Sequence, residues 1–353
     1  VARIGPNHTG RMTDDYVHAL DSGPDQAALL AAMRLATRAP SVHNTQPWRW
    51  EYCDRQLRLY RDDDRSLPSA DPTGRQLIIS CGAMLDHVRT AFAAEGWRTD
   101  TVRQPTPYRP DHLATLVFRP WPDPPSDLRT RAGMIGRRRT DRLPMSDPGD
   151  LSDLVRTARS LTEPYDVIVG VLGTNALARL EAASEQSTAL RRYDMTYQTE
   201  LRWWSGHKRS TEGVPVDALI SESEAVRVPV GRKFPAHAHS ARRGELEDQA
   251  RLWVLSTPDD SVLHWLRTGE ALSTVLLECT AAGLATCPMT HITELPTTRR
   301  AVMNLAGSQD LAQVVVRVGL APDHEEHPVT PRRPPSDFLT IHPDISTAND
   351  KGL

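Results

Sequence analysis

The chain has 353 residues, with 42 Lys and Arg against 45 Asp and Glu and a formal net charge of -3, so no basic footprint points to nucleic acid. That length permits a large core and exceeds one typical domain. Apolar residues are too interrupted by charge for a membrane span, and residues 1–25 lack the apolar core of a signal peptide, so the expected location is cytoplasmic.

Residues 1–25 read as a loose arm that Tyr16, Val17 and Leu20 could pin. Leu29, Leu30, Met33 and Ala36 then recur at helix spacing, predicting a helix over residues 26–38 that Pro40 stops. Five hydrogen-bonding side chains follow within six residues, Ser41, His43, Asn44, Thr45 and Gln46, before Pro47, Trp48 and an aromatic strand over 49–53. On the residues alone this is either a capped turn whose Trp48 and Trp50 fill core, or a loop that displays binding groups.

Small and apolar residues nearly all round residues 74–97 predict a buried helix stopped at Gly96, and a strand is expected over 113–120. The same order recurs later: an apolar helix over 269–283 ending at Gly283, then a strand over 313–320. The repetition suggests internal duplication and an α+β fold, divided at the proline-rich stretch 121–125 into halves of 26–125 and 126–353. Residues 188–248, with Trp203, Trp204 and Phe234, read as an insertion in the second half, either a lid or a surface excursion.

Of the cysteines, Cys53, Cys81, Cys279 and Cys287, no two have C-x-x-C spacing, and Cys81 and Cys279 are expected as buried thiols. His237 and His239 lack a third ligand nearby, so no metal is expected. Arg75 and Asp71 are further polar residues with no assigned role, and no Gly-x-Gly-x-x-Gly follows a strand. Residues 137–142 hold four arginines and Thr140, a combination suited to a phosphate. Arg332 and Arg333 form a second, proline-flanked basic pair, and His291 taken alone reads as structural.

Four segments together resemble the nitroreductase superfamily. The loop 40–48 matches its Pro-Ser-x-x-Asn-x-Gln-Pro-Trp throughout, and residues 138–142 resemble its Arg-x-Ser-x-Arg opening, with Thr140 keeping the hydroxyl. Residues 330–334 resemble its Lys-x-Arg-x-Pro arm with Thr330 in place of Lys, and 283–291 resemble its Gly-Leu-x-x-x-Pro turn, with Thr290 and His291 where many members have Glu-Gly. The resemblance implies FMN. Pro40, Ser41, Val42, Asn44 and Gln46 would lie along the isoalloxazine ring, and Arg138, Arg139, Thr140 and Arg332 would hold the phosphate. Arg142 would approach the pyrimidine edge, and the backbone of Pro288, Met289 and Thr290 would face the flavin N5.

Ordinary nitroreductases place the arginine opening before the loop in one short chain and dimerise. Here the loop precedes it, which resembles the Acg-type branch, with two nitroreductase-like halves fused. That implies one composite FMN site in a pseudo-dimer within one chain, and leaves a homodimer open. The implied function is an FMN-dependent oxidoreductase passing hydride or electrons from NAD(P)H to nitro compounds or quinones, with no catalytic acid or base side chain. The alternative is an FMN-sequestering protein whose flavin is occluded by the insertion.

Overall fold

The computed structural model describes residues 23–206, 211–235, 238, 240–323, 325 and 329–343; Tyr16, Val17, Leu20 and the His237/His239 pair lie outside them. The first part comprises α1 (Gln26–Ala36), β1 (Trp48–Cys53), β2 (Gln56–Arg61), α2 (Arg75–Ala94), β3 (Trp97–Arg103) and β4 (His112–Pro120). Then come α3 (Ser126–Arg137), α4 (Ser152–Thr162), β5 (Ile168–Leu172), α5 (Leu177–Arg191), α6 (Met195–Trp203) and α7 (Glu222–Val226). The last part holds β6 (Arg251–Thr257), α8 (Val262–Ala281), β7 (Ala285–Met289), α9 (Pro296–Ala306), β8 (Leu311–Gly319) and β9 (Leu339–Ile341).

Helices and mainly antiparallel sheets segregate as an α+β fold requires. One sheet has the order β3-β4-β2-β1-β9 and the other β5-β6-β8-β7. Read from β7, the second sheet follows the path of the first, with β5, β6, β7 and β8 in the places of β1, β2, β3 and β4. Within each set a 20-residue helix joins the second strand to the third. Gly96 and Gly283, with φ of 83° and 77°, turn the chain out of those helices in the left-handed conformation that favours glycine. The β1–β2 hairpin turns on Asp54 and Arg55, both at positive φ, as a two-residue hairpin loop demands.

The tail breaks the correspondence. β9 crosses back to pair in parallel with β1, and the Trp50 N–H donates to the Phe338 carbonyl over 2.6 Å.

α2 is long and apolar enough to cross a bilayer, yet 89% of its apolar window is buried inside the protein. It packs on the first sheet through Met84, Leu85, Val88 and Phe92, and on α8 along its other side. The contact between the two helices is set by Gly82 and Gly269. A Cβ on Gly82 would sit 2.0 Å from the Leu266 carbonyl oxygen, and one on Gly269 would sit 2.0 Å from that of Ile79. Each glycine therefore lets the other helix's backbone into contact. The second sheet buries Val314, Val316 and Trp253 on its α8 face and Val315 and Val254 on the face covered by α5 and α9. Cys81, Cys279 and Cys287 are buried and Cys53 is half-buried.

Because backbone rather than a flexible side chain meets the added methyl, Gly269→Ala should force the helices apart. Overpacking of this kind costs about 1–3 kcal/mol or more. Urea denaturation should show a lowered midpoint for Gly269→Ala and Gly82→Ala, while Gly283→Ala, which meets no atom within 4 Å, loses only what its positive φ imposes.

Candidate functional site

The segment after α1 is held by short-range hydrogen bonds in a conformation few side chains accept. His43, Asn44 and Gln46 have φ of 47°, 56° and 51°, all in the left-handed region. Ser41 Oγ accepts from the Gln46 N–H over 3.1 Å, and the Val42 N–H donates over 3.0 Å to Ser80 Oγ on α2. Trp48 and Trp50 are fully buried in the core, so the aromatic end of the segment anchors it while residues 40–43 face a cavity. Both readings of this stretch are thus realised, by different residues.

That cavity encloses about 930 Å³ between α2, β7, the loop and part of the insertion, within the range of roughly 300–1,000 Å³ usual for small-molecule sites. Gln76, Ile79, Ser80 and Ala83 supply one wall from α2. Their spacing of i, i+3, i+4 and i+7 puts them on one helix face. The opposite wall includes Cys287, Pro288, Met289 and Thr290. Thr290 Oγ1 donates to Gln76 Oε1, tying the walls together.

The expected turn around Pro288 is instead part of β7, with Pro288 opposite Val316. An edge strand tolerates a proline because one side of it needs no ladder hydrogen bond, and β7 is such an edge. The arginine opening lies beside it: Thr140 bridges Thr286, and the Asp141 N–H donates to the Thr286 carbonyl over 2.9 Å.

Pro40, Ser41, Thr140 and Arg142 are shared with an adjoining, narrower recess lined by Arg38, Asn44, Arg138, Arg139 and Arg332. Arg138 Nη2 donates to the Arg38 carbonyl over 3.1 Å, while its Nε and Nη1 are buried without a partner. Arg332 donates through Nε to the Thr37 carbonyl over 2.8 Å and through Nη1 to the Pro331 carbonyl over 3.0 Å. Arg38, Arg138 and Arg332 pair with no carboxylate among the described residues. Burial, with Arg38 nearby, lowers the pKa of Arg138 to about 10, and burial with Arg138 and Arg38 lowers that of Arg332 to about 9. Both remain cations at neutral pH, and a dianion is the missing partner.

The remaining expected residues divide. Arg142 projects under the insertion, donating over 3.2 Å to the Ala218 carbonyl with its guanidinium 5.7 Å from the Phe234 ring centroid. Burial lowers its pKa. Arg139 is half-exposed and lies 3.8 Å from Asp141, at the rim of the recess. Asn44 lines the recess, its Nδ2 donating to the Gly213 and Pro331 carbonyls at 2.9 and 3.2 Å.

Gln46, expected along the ring, is not brought to the cavity. Its Nε2 donates to the Thr211 carbonyl over 2.8 Å, and its Oε1 accepts from the Arg333 N–H over 2.9 Å. Gln46 is a strut between loop, insertion and tail, because every polar atom of its amide is engaged by backbone.

The insertion contributes Ile220, Val228, Gly231, Arg232 and Phe234 to the cavity. Trp204 instead packs in a satellite core with Leu67, Ala70, Tyr197 and Leu201, and Trp203 is exposed. Arg232 is held by Glu294 and by Tyr197 Oη at 2.6 Å. Sequence reasoning missed Arg38, His43 and Gln76. The polar pair Gln76 and Ser80, four residues apart on an otherwise apolar helix, was the available signal for the α2 wall.

The arginine recess makes a signed prediction. A basic group whose folded pKa is depressed opposes folding while charged and ceases to do so as pH rises through that value. Inorganic phosphate should therefore raise the wild-type melting temperature at pH 7. Arg332→Met should melt higher than wild type without phosphate and respond less to its addition, as a phosphate titration by scanning calorimetry would show.

No protein-family model matches the chain. It is 46% identical over 314 residues to the Mycobacterium tuberculosis protein named "Putative NAD(P)H nitroreductase acg", covering 88% of this chain and 95% of that one. An uncharacterized protein of the same organism is 42% identical over 318 residues, covering 88% and 92%. Among solved structures, the FMN-dependent nitroreductase NfnB from Mycobacterium smegmatis, in complex with NADPH, aligns at 17% identity and a TM-score of 0.39 over 62% of this chain and 100% of that one. The identity and coverage of the first two relatives establish that this chain belongs to the Acg family of nitroreductase-like proteins.

Proposed function

We propose that the protein is an FMN-dependent oxidoreductase that takes hydride from NAD(P)H and passes electrons to a nitro compound or a quinone. The observation that carries this reading is the recess of buried, carboxylate-free guanidiniums opening into an apolar-walled cavity. The donor set fits a flavin mononucleotide. Arg138 and Arg332, with Arg38 and the Thr140 hydroxyl, would hold the phosphate, since Arg offers bidentate charge-assisted bonds. Ile79, Ala83, Leu272 and Val314 offer the ring apolar contact.

Bound there, the flavin supplies the two-electron chemistry. The chain's part is electrostatic and geometric. Arg142, a buried cation beside the cavity, favours negative charge on its neighbour. The strands on either side fix its position, and the insertion limits the access of water.

A second reading, an FMN-sequestering protein, is favoured by the insertion residues that cover the cavity's outer side. Steady-state oxidation of NADH and NADPH with nitrobenzene as acceptor decides between them. Turnover supports the oxidoreductase, whereas bound flavin without turnover supports sequestration. If cover alone slows the enzyme, Phe234→Ala should speed flavin reduction in stopped-flow mixing with FMN retained.

The protein should purify yellow with one FMN per chain. Loss of a charge-assisted hydrogen bond costs about 1.5–3 kcal/mol, on the order of tenfold or more in affinity. Arg138→Ala should accordingly release FMN far more readily than His291→Ala, measured by fluorescence of the freed flavin. Equal affinities for Arg138→Ala and wild type would remove the phosphate assignment.

A further inference from the structure

The cavity has two ends. Toward Pro40, Ser41, Thr140 and Arg142 it adjoins the arginine recess. Toward Ile220, Arg232 and Phe234 it adjoins an outer groove on the insertion, lined further by Arg192, Tyr193 and Lys233. His43 lines the cavity but not the recess, and its ring meets that of Phe234 edge-on, with centroids 5.7 Å apart and planes at 72°. It thus belongs to the end that faces the groove.

Both imidazole nitrogens of His43 are buried and without a hydrogen-bond partner. Leaving a buried donor or acceptor unmet costs about 1–3 kcal/mol. The backbone adds strain, because His43 is held at φ 47° by the hydrogen bonds that fix its neighbours. A strained residue with two orphaned polar atoms turned into a cavity is a group waiting for a ligand. Burial, and then Arg232 and Arg142, hold its pKa well below the ordinary value, so the ring is neutral and offers one N–H donor and one acceptor. Across the cavity, His291 has a buried, unpartnered Nδ1 while its Nε2 lies 2.8 Å from Ser184 Oγ.

We propose that His43 and Phe234 form the electron-acceptor subsite: the imidazole N–H donates a hydrogen bond to an oxygen of a planar nitroarene or quinone that enters from the outer groove, and the Phe234 ring bounds its aromatic face. The proposal rests on the oxidoreductase reading above. An aromatic ring beside a neutral donor selects flat, uncharged acceptors whose oxygens gain negative charge on reduction. The hydrogen bond strengthens as that charge develops, so His43 contributes to rate as well as to binding.

The test separates binding from turnover. Nitrobenzene and duroquinone are titrated, without NAD(P)H, into the oxidised flavin-loaded protein, and binding is followed by perturbation of the flavin absorption. His43→Phe keeps an aromatic ring and removes both nitrogens; it should weaken both ligands roughly five- to tenfold, the scale of one neutral hydrogen bond, with unchanged FMN content. His43→Gln, which restores a donor at similar reach, should recover most of the loss. If His43→Phe does not fold, His43→Asn serves, since Asn accepts the left-handed backbone but is too short to reach the ligand. Affinities equal to wild type with FMN retained overturn the subsite, as does a parallel loss of FMN, which would make His43 a cofactor ligand. A wild-type protein that cannot be loaded with FMN overturns the oxidoreductase reading and the subsite with it.

Discussion

The closest approach in the protein is between two glycines, and the site depends on it. Gly82 and Gly269 let α2 and α8 meet backbone to backbone, with no room for a methyl group at either position. That contact fixes where Gln76, Ser80 and Ala83 of α2 stand relative to Leu272 of α8 and to β7, which α8 leads into through Gly283. Wider spacing would move the cavity's walls apart and separate Gln76 from Thr290. Close packing of rigid elements transmits such a shift instead of absorbing it.

Charge balance gives the arginine recess its meaning. Elsewhere, buried carboxylates are matched with guanidiniums. Glu270, fully buried, takes Arg89 at 3.0 Å and Arg103 at 2.7 Å; Asp248 takes Arg317, and Asp141 takes Arg243 at 2.8 Å. A lone buried charge costs several kcal/mol, so matching is the rule expected of a stable core. Arg38, Arg138 and Arg332 break the rule together and in one place. Their cost is offset only when an anion joins them, which is why they speak for a ligand and the paired arginines do not.

Much of this was legible in the sequence, and the failures have physical causes. The helices at α2 and α8 and the strands β4 and β8 announced themselves because they are apolar on nearly every face. β3, with Trp97, Thr99 and Thr101 half-buried between polar residues, pairs on one side only and carries too weak an alternation to stand out. β7 holds a proline, which reads as a turn until its place at a sheet edge is known. The loop was recognisable as a motif, but spacing along a chain does not say which polar groups turn inward. Gln46 and His43 exchanged their expected places because the left-handed backbone at 43, 44 and 46 redirects the side chains. Arg38 was hidden as the last residue before a proline, where its basic character looks like ordinary helix-end charge.

The same two helices explain why one cavity of this kind forms and not two. The residue after Gly82 is Ala83, a wall of the cavity; the residue after Gly269 is Glu270. Since the two sheets follow one path about these helices, Glu270 occupies on its side the place that Ala83 occupies on the other. There it is enclosed by Arg103 from β3, the strand matching β7, and by Arg89, which reaches the Tyr165 hydroxyl at 3.4 Å. A carboxylate with two guanidiniums and a phenol fills space that a small alanine leaves open. Asymmetry also enters through the tail and the insertion, which converge on the loop through Gln46 and Asn44 and have no counterpart on the other side. One small residue on α2 and two sequence-distant struts thus make a binding cavity, while a buried ion-pair cluster makes the equivalent region of α8 part of the scaffold.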